Sequence, residues 1–143
     1  PMANTLLFWE GTRYADGFTT SEIYAYQNAD NQITAKRNTG GSTGTIRINA
    51  IEFLPKWIKG GKQAAQPTFT AGQATKDTAL TSVNTAKTLL SYLGHTSANT
   101  FSNTEYTMVT VKTNSATANR GERGTTTDFG QVPTYSFEEF EFI

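Results

Sequence analysis

Thr75-Lys76-Asp77-Thr78-Ala79-Leu80-Thr81-Ser82-Val83-Asn84-Thr85-Ala86-Lys87-Thr88-Leu89-Leu90-Ser91-Tyr92-Leu93 carries apolar residues at helical spacing. Ala79, Val83, Ala86, Leu90 and Leu93 recur at steps of four, three, four and three, which is one face of an α-helix. Leu80 and Leu89 widen that stripe. Thr75 suits an N-cap, Asp77 the positive end of the helix dipole, and Gly94 the position just past a helix C-terminus. The spacing predicts one amphipathic helix over residues 75–93.

The flanking chain reads as strands. Thr5-Leu6-Leu7-Phe8-Trp9 is a short apolar run, followed by a turn from Gly11 to Gly17. Residues 22–26 and 32–37 read as two strands joined by a hairpin over Asn28 to Asn31. Asn38 to Gly44 is a flexible loop. Thr45 to Leu54 alternates, with Ile46, Ile48 and Ala50 on one face and Arg47 and Asn49 on the other. Ile51 and Phe53 suggest burial on both sides at its end, and Pro55 stops it. Lys56 to Gly72 reads as an irregular connection. Glu105 to Thr113 is a strand, and Asn114 to Gly130 a long polar loop. In the strand Thr134 to Ile143, Tyr135 and Phe137 share one parity and Phe140 and Phe142 the other, so a bulge is expected near Glu138-Glu139. The predicted core is Leu6, Phe8, Ile23, Ile46, Ile48, Val83, Leu90, Val109, Val111 and Phe137. The expected class is α+β: mainly antiparallel β-sheet or a small barrel with one amphipathic helix packed on it, in a single domain spanning residues 1–143.

The composition removes several classes of function. A chain of 143 residues can bury a real core. It has no cysteine, hence no disulfide framework, thiolate nucleophile or cysteine-based metal site. No apolar run approaches the roughly 18 residues that span a membrane, and Pro1-Met2-Ala3-Asn4 lacks the pattern of a signal peptide. Twelve basic and twelve acidic residues cancel, and charged residues make up 17% of the chain. Such a surface repels its own copies weakly. Threonine, asparagine, serine, alanine and glycine are frequent, which favours strands and turns.

Most motifs fail on their context. Asn38 to Gly44 is glycine-rich, but no Gly-Lys-Ser/Thr opens a helix there, so it is not a phosphate loop. Asp128-Phe129-Gly130 spells the kinase metal triplet without the rest of a kinase. His95 is the single histidine, read as helix-terminal or solvent-exposed rather than as part of a nucleophilic triad. Glu139 and Glu141 share a strand face and could pair as catalytic carboxylates, yet acidic residues on a C-terminal edge strand more often discourage aggregation. The expectation is that the protein is not an enzyme and uses no cofactor or metal.

Two basic segments carry binding possibilities. Lys56-Trp57-Ile58-Lys59-Gly60-Gly61-Lys62 interleaves cations with an aromatic, which suits a nucleic-acid backbone and a stacked base. The same residues also read as an interface anchor with lysines outside. With Lys36, Arg37 and Arg47, the residues Lys56, Trp57 and Lys59 would form a basic sheet face, on which phosphate neutralisation would dominate affinity. Arg120 and Arg123 lie in the long polar loop and could form an arm to a neighbouring subunit. Residues 115–127 are then expected to be removable without loss of the fold.

Three functions fit. A nucleic-acid-binding module would stack bases on Trp57, Tyr24 and Tyr26. A small adaptor or inhibitor would bind one protein or small ligand. A structural, self-assembling protein would use the low charge, the threonine-rich strands and the polar loops. In that overall texture the whole chain resembles bacteriophage virion proteins, meaning coat, decoration or tail-tube subunits. The resemblance implies a capsid-type homo-oligomer of many copies, located in the virion, with possible RNA or DNA contact and no membrane. Outside that resemblance the expected location is cytoplasmic.

Overall fold

The computed structural model describes residues 2–14, 23–37, 44–71, 73–96, 107–112, 115–120 and 134–143, with backbone alone for 12–14, 107, 108, 111 and 115–120. Ten strands are described: β1 (Thr5–Tyr14), β2 (Tyr24–Ala29), β3 (Gln32–Lys36), β4 (Gly44–Glu52), β5 (Ile58–Ala65), β6 (Thr75–Ala79), β7 (Thr88–His95), β8 (Thr107–Val111), β9 (Ser115–Arg120) and β10 (Tyr135–Phe142). The described helical segments are three 3₁₀ turns, Met2–Asn4, Pro55–Trp57 and Thr85–Lys87. The molecule is mainly antiparallel β-sheet.

The helix expected over 75–93 does not form. Its sequence is β6, a connection, a 3₁₀ turn and β7. Five threonines in that stretch are β-branched and stiff at χ1, which favours strands. Asn84 does cap a helical turn, its side chain accepting from the Ala86 N–H at 3.1 Å, but the turn is one of 3₁₀ type and ends at Lys87. Beyond it Thr88, Leu89, Leu90, Ser91 and Tyr92 pair along β10. Gly94 is a special backbone position for a different reason from the one predicted. It has φ +92° within β7, and a Cβ there would sit 2.3 Å from the Ile23 carbonyl oxygen.

Other boundaries move as well. β1 runs through the expected turn to Tyr14, with a register shift between Trp9 and Gly11. The expected irregular connection after Pro55 contains β5, whose Gly60 and Gly61 take positive φ at the irregularity opposite β10. The polar loop expected from Asn114 contains β9, which pairs with both β6 and β8. Removing residues 115–127 would therefore delete the middle strand of a sheet, so the expectation that they are dispensable is overturned. The hairpin over Asp30 and Asn31 forms as expected.

Three sheets stack. The central one has the order β3-β2-β7-β10-β5. β10 is thus an inner strand, not the edge strand read from its acidic residues, and Tyr135 to Glu141 are all buried. On one face Leu6, Ile58 and Phe140 form a core with Phe8 and Phe53, contributed by the β1–β4 ribbon and the residues after it. Phe53 meets Phe140 edge-on, 5.6 Å between ring centres. On the other face Phe69, Tyr135 and Phe137 pack with Ala65, Leu80, Leu90, Tyr92 and Val109. Leu80 and Val109 come from the β6-β9-β8 side. Two-sided burial explains the aromatic parities: each side of β10 faces its own core, and each buried phenylalanine contributes about 1.5–3 kcal/mol. The expected bulge lies close by, as register shifts between Tyr135 and Phe137 against β7 and between Glu139 and Glu141 against β5.

Of the predicted core, Leu6, Ile23, Val83 and Phe137 are buried. Phe8, Ile46, Ile48, Leu90 and Val109 are partly buried, and the Val111 side chain lies outside the described residues. Ile51 is exposed, so β4 does not end buried on both sides.

Candidate functional site

The predicted basic face divides into separate places. Lys36 and Arg37, at the end of β3, line a shallow groove with Ile23, Ala35 and Gly44 at the start of β4. Lys56 and Trp57, in the 3₁₀ turn after β4, line another with Phe53, Phe142 and Ile143. The length of β4 separates the two, about 30 Å for an extended strand of this size. Arg47 lies between them and pairs with Glu10 at 3.7 Å on the surface. Lys59 bonds Glu141 at 2.9 Å. Arg120 is the last residue of β9, described by its backbone, and Arg123 lies outside the described residues.

The aromatic platforms change as well. Tyr24 is buried and stacks on Tyr26, with ring centres 6.1 Å apart. Burial also pushes its hydroxyl pKa up, against the opposing pull of Lys36. Lys36 sits 5.6 Å above the Tyr26 ring, a cation–π contact that occupies that face. Trp57 remains an exposed aromatic. His95 lies in β7, half-buried, with Nδ1 against the Tyr92 hydroxyl, not at a helix end.

Trp57 and Ile143 form an exposed apolar rim on their groove. Ile51, Leu54, Trp57 and Ile143 are exposed by 46%, 50%, 53% and 72%. The groove that Trp57 and Ile143 line with Phe53, Phe142 and Lys56 holds about 410 Å³. The rim is rigidly set. Trp57 N–H donates to the Leu54 carbonyl, and Ile143 N–H donates to the Trp57 carbonyl, at 2.9 and 3.1 Å. Pro55 opens the turn with its φ already fixed. The turn thus holds Trp57 against the end of β10.

The acidic residues of β10 form the other arrangement of note. Glu138 is fully buried; one oxygen accepts from Lys62 Nζ at 2.8 Å and the other from the Leu7 N–H at 2.9 Å. Lys62 also donates to Gln27 Oε1 at 2.8 Å. Ser91 donates its hydroxyl proton to the Leu7 carbonyl, so both backbone groups of Leu7 are held by the central sheet. On the opposite face Glu139 accepts from Gln63 Nε2 at 3.0 Å through Oε1, while Oε2 has no hydrogen-bond partner among the described residues. Burial, reinforced by the Glu141 charge, raises the Glu139 pKa to about 7. The hydrogen bond from Lys59 holds Glu141 below the usual carboxylate range. Glu139 and Glu141 do share a face as expected, but Glu139 is closed to solvent, which leaves a substrate no route to a carboxylate pair. No group of three or more potential metal ligands occurs among the described residues.

The signal missed in the sequence was in β5. Its Lys59, Lys62 and Gln63 are the partners of Glu141, Glu138 and Glu139, and an alternation of β5 against β10 would have matched them. No protein-family model, curated protein or solved structure matches the chain. Among the described residues no helix is long and apolar enough to cross a membrane.

Proposed function

We propose that the protein is a structural subunit that assembles with further copies of itself, and that the assembly is a bacteriophage virion component. The observation that carries this reading is the exposed apolar rim of Trp57 and Ile143 on the groove they line with Phe53, Phe142 and Lys56. An exposed apolar patch with an aromatic centre is the usual footprint of a protein interface. The occupant favoured by the chain's own chemistry is a second copy. With twelve basic and twelve acidic residues, copies carry no net repulsion. Met by its own copy such a patch closes a two-fold dimer, and met by a different surface of the next copy it builds a ring when the rotation closes. The virion assignment rests on the threonine-rich, low-charge texture.

Nucleic acid, if it is packaged, would meet Lys36 and Arg37 rather than a continuous basic face, because the cations are divided along β4. The test is size-exclusion chromatography with light scattering, reading the ultraviolet absorbance ratio that reports nucleic acid on the same run. A large particle or a defined oligomer is the expected result. A monomer at every concentration would overturn the reading and leave the adaptor alternative.

A further inference from the structure

Gln27 on β2, Ser91 on β7, Glu138 on β10 and Lys62 on β5 lie on one face of the central sheet. Lys62 Nζ is 2.8 Å from Gln27 Oε1 and 2.8 Å from Glu138 Oε1. The Lys62 side chain is 2% exposed, Glu138 0% and Gln27 7%. The Lys62 amine thus touches both a primary amide and a carboxylate in the buried interior.

We propose that Lys62 and Gln27 form an intramolecular amide bond, with Glu138 as the proton carrier. Lys62 Nζ gives one proton to Glu138 along their 2.8 Å bond and becomes a free amine. The amine lone pair adds to Cδ of Gln27, the carbon directly behind the oxygen it already touches. Nζ must rise from the plane of the amide to its face, a rotation about the last bonds of the lysine. The new Nζ–Cδ bond forms as the Cδ–Nε2 bond breaks; the departing nitrogen takes the proton held by Glu138, and the Glu138 carboxylate then passes it the proton that Nζ loses on becoming an amide nitrogen. The products are an amide between Lys62 and Gln27, one ammonium ion and the Glu138 carboxylate, with no oxidant or reductant needed.

Four features serve this step. Contact distances near 3 Å between reacting groups replace an encounter from solution, which is the largest saving available to such a reaction. Exclusion of water removes the competing hydrolysis. Leu7 N–H, at 2.9 Å, holds the second oxygen of Glu138 so that the first stays directed at Nζ. Gln27 Nε2 is turned toward the Asp30 carbonyl at 3.5 Å, which sets the amide orientation. Gln27 is the acyl donor rather than Glu138, because Glu138 serves as the proton carrier, with its second oxygen held by the Leu7 N–H. The bond would tie β2 to β5 across the intervening β7 and β10.

Intact mass spectrometry of the denatured full chain tests the bond. The expected mass is the sequence mass less one ammonia, with peptide mapping placing the loss on a fragment that joins Gln27 to Lys62. Glu138→Gln can still accept the Leu7 N–H but cannot carry the proton, and it should show the full sequence mass. Lys62→Arg keeps a cation beside Glu138 and should also show the full mass while retaining the circular dichroism of a folded β protein. A parent chain at full sequence mass after prolonged incubation would overturn the proposal. So would a loss of one water, which would place the bond at Glu138, or a loss mapped elsewhere.

Discussion

Lys62 Nζ lies 2.8 Å from Glu138 Oε1, and neither side chain reaches solvent. This pair connects β5 to the inner strand β10, and through the Leu7 N–H it anchors the β1–β4 ribbon to the central sheet. A buried charge is tolerated only when paired and hydrogen-bonded, and Glu138 meets that condition with both oxygens. Replacing it with leucine strands the Leu7 N–H and one side of Lys62 together. Glu138→Leu is expected to destabilise the fold by about 3–5 kcal/mol, the usual cost of breaking such a pair from one side. Equilibrium urea unfolding would measure it, and a loss below about 1 kcal/mol would contradict the role assigned to Glu138.

Gly94 tests the packing of β2 on β7. Its φ of +92° is strained for any residue with a Cβ, and that Cβ would collide with the Ile23 carbonyl oxygen at 2.3 Å. Gly94→Ala is expected to destabilise by about 3 kcal/mol or more, combining a strained backbone with an overpacked contact. A change in urea midpoint within error would show that β2 does not approach β7 this closely.

Glu139 predicts the pH dependence of stability. Its pKa is about 7 in the folded chain against an ordinary value of 4.5. The folded state therefore holds the proton more tightly than the unfolded state. Glu139 favours folding fully below pH 4.5, and that contribution is lost as pH rises through about 7, then stays lost. The change amounts to at most about 3 kcal/mol, at 1.36 kcal/mol per pH unit. Glu141 acts in the opposite direction at lower pH, since its pKa is lowered by Lys59. Glu139→Gln is expected to flatten the decline between mildly acidic and mildly alkaline solution and to unfold at higher urea than the parent above pH 7. Parallel curves for the two proteins would exclude a buried, proton-holding Glu139.

The sequence made much of the sheet legible and little of its order. The aromatic parities of Tyr135, Phe137, Phe140 and Phe142 pointed to a strand with a bulge, and the structure also puts a core on each face. Glu138, Glu139 and Glu141 hid that fact, because local pattern reads carboxylates as exposed. Their partners on β5 lie 76 and 82 residues away, and no local window contains them. The false helix over 75–93 has the same origin. Its four-three spacing is real, but Ala79, Val83, Ala86 and Leu90 fall on a strand, a connection, a turn and another strand. Pairing of Thr88 to Tyr92 with β10 decided the outcome, overriding the local periodicity. The candidate basic face failed in a comparable way. Sequence proximity placed Lys56 and Trp57 beside Arg47, whereas β4 carries them to opposite ends of an extended element from Lys36 and Arg37.

Trp57 carries the central claim, that the apolar rim closes against a second copy. The side chain is 53% exposed, so Trp57→Ser should change the stability of the isolated chain by no more than about 1 kcal/mol. Sedimentation velocity over a concentration series of the parent and of Trp57→Ser is the direct measurement. The account predicts a parent that sediments as an oligomer or larger particle and a folded variant shifted to monomer. A parent that stays monomeric at the highest concentration, or a variant that assembles like the parent, would contradict it.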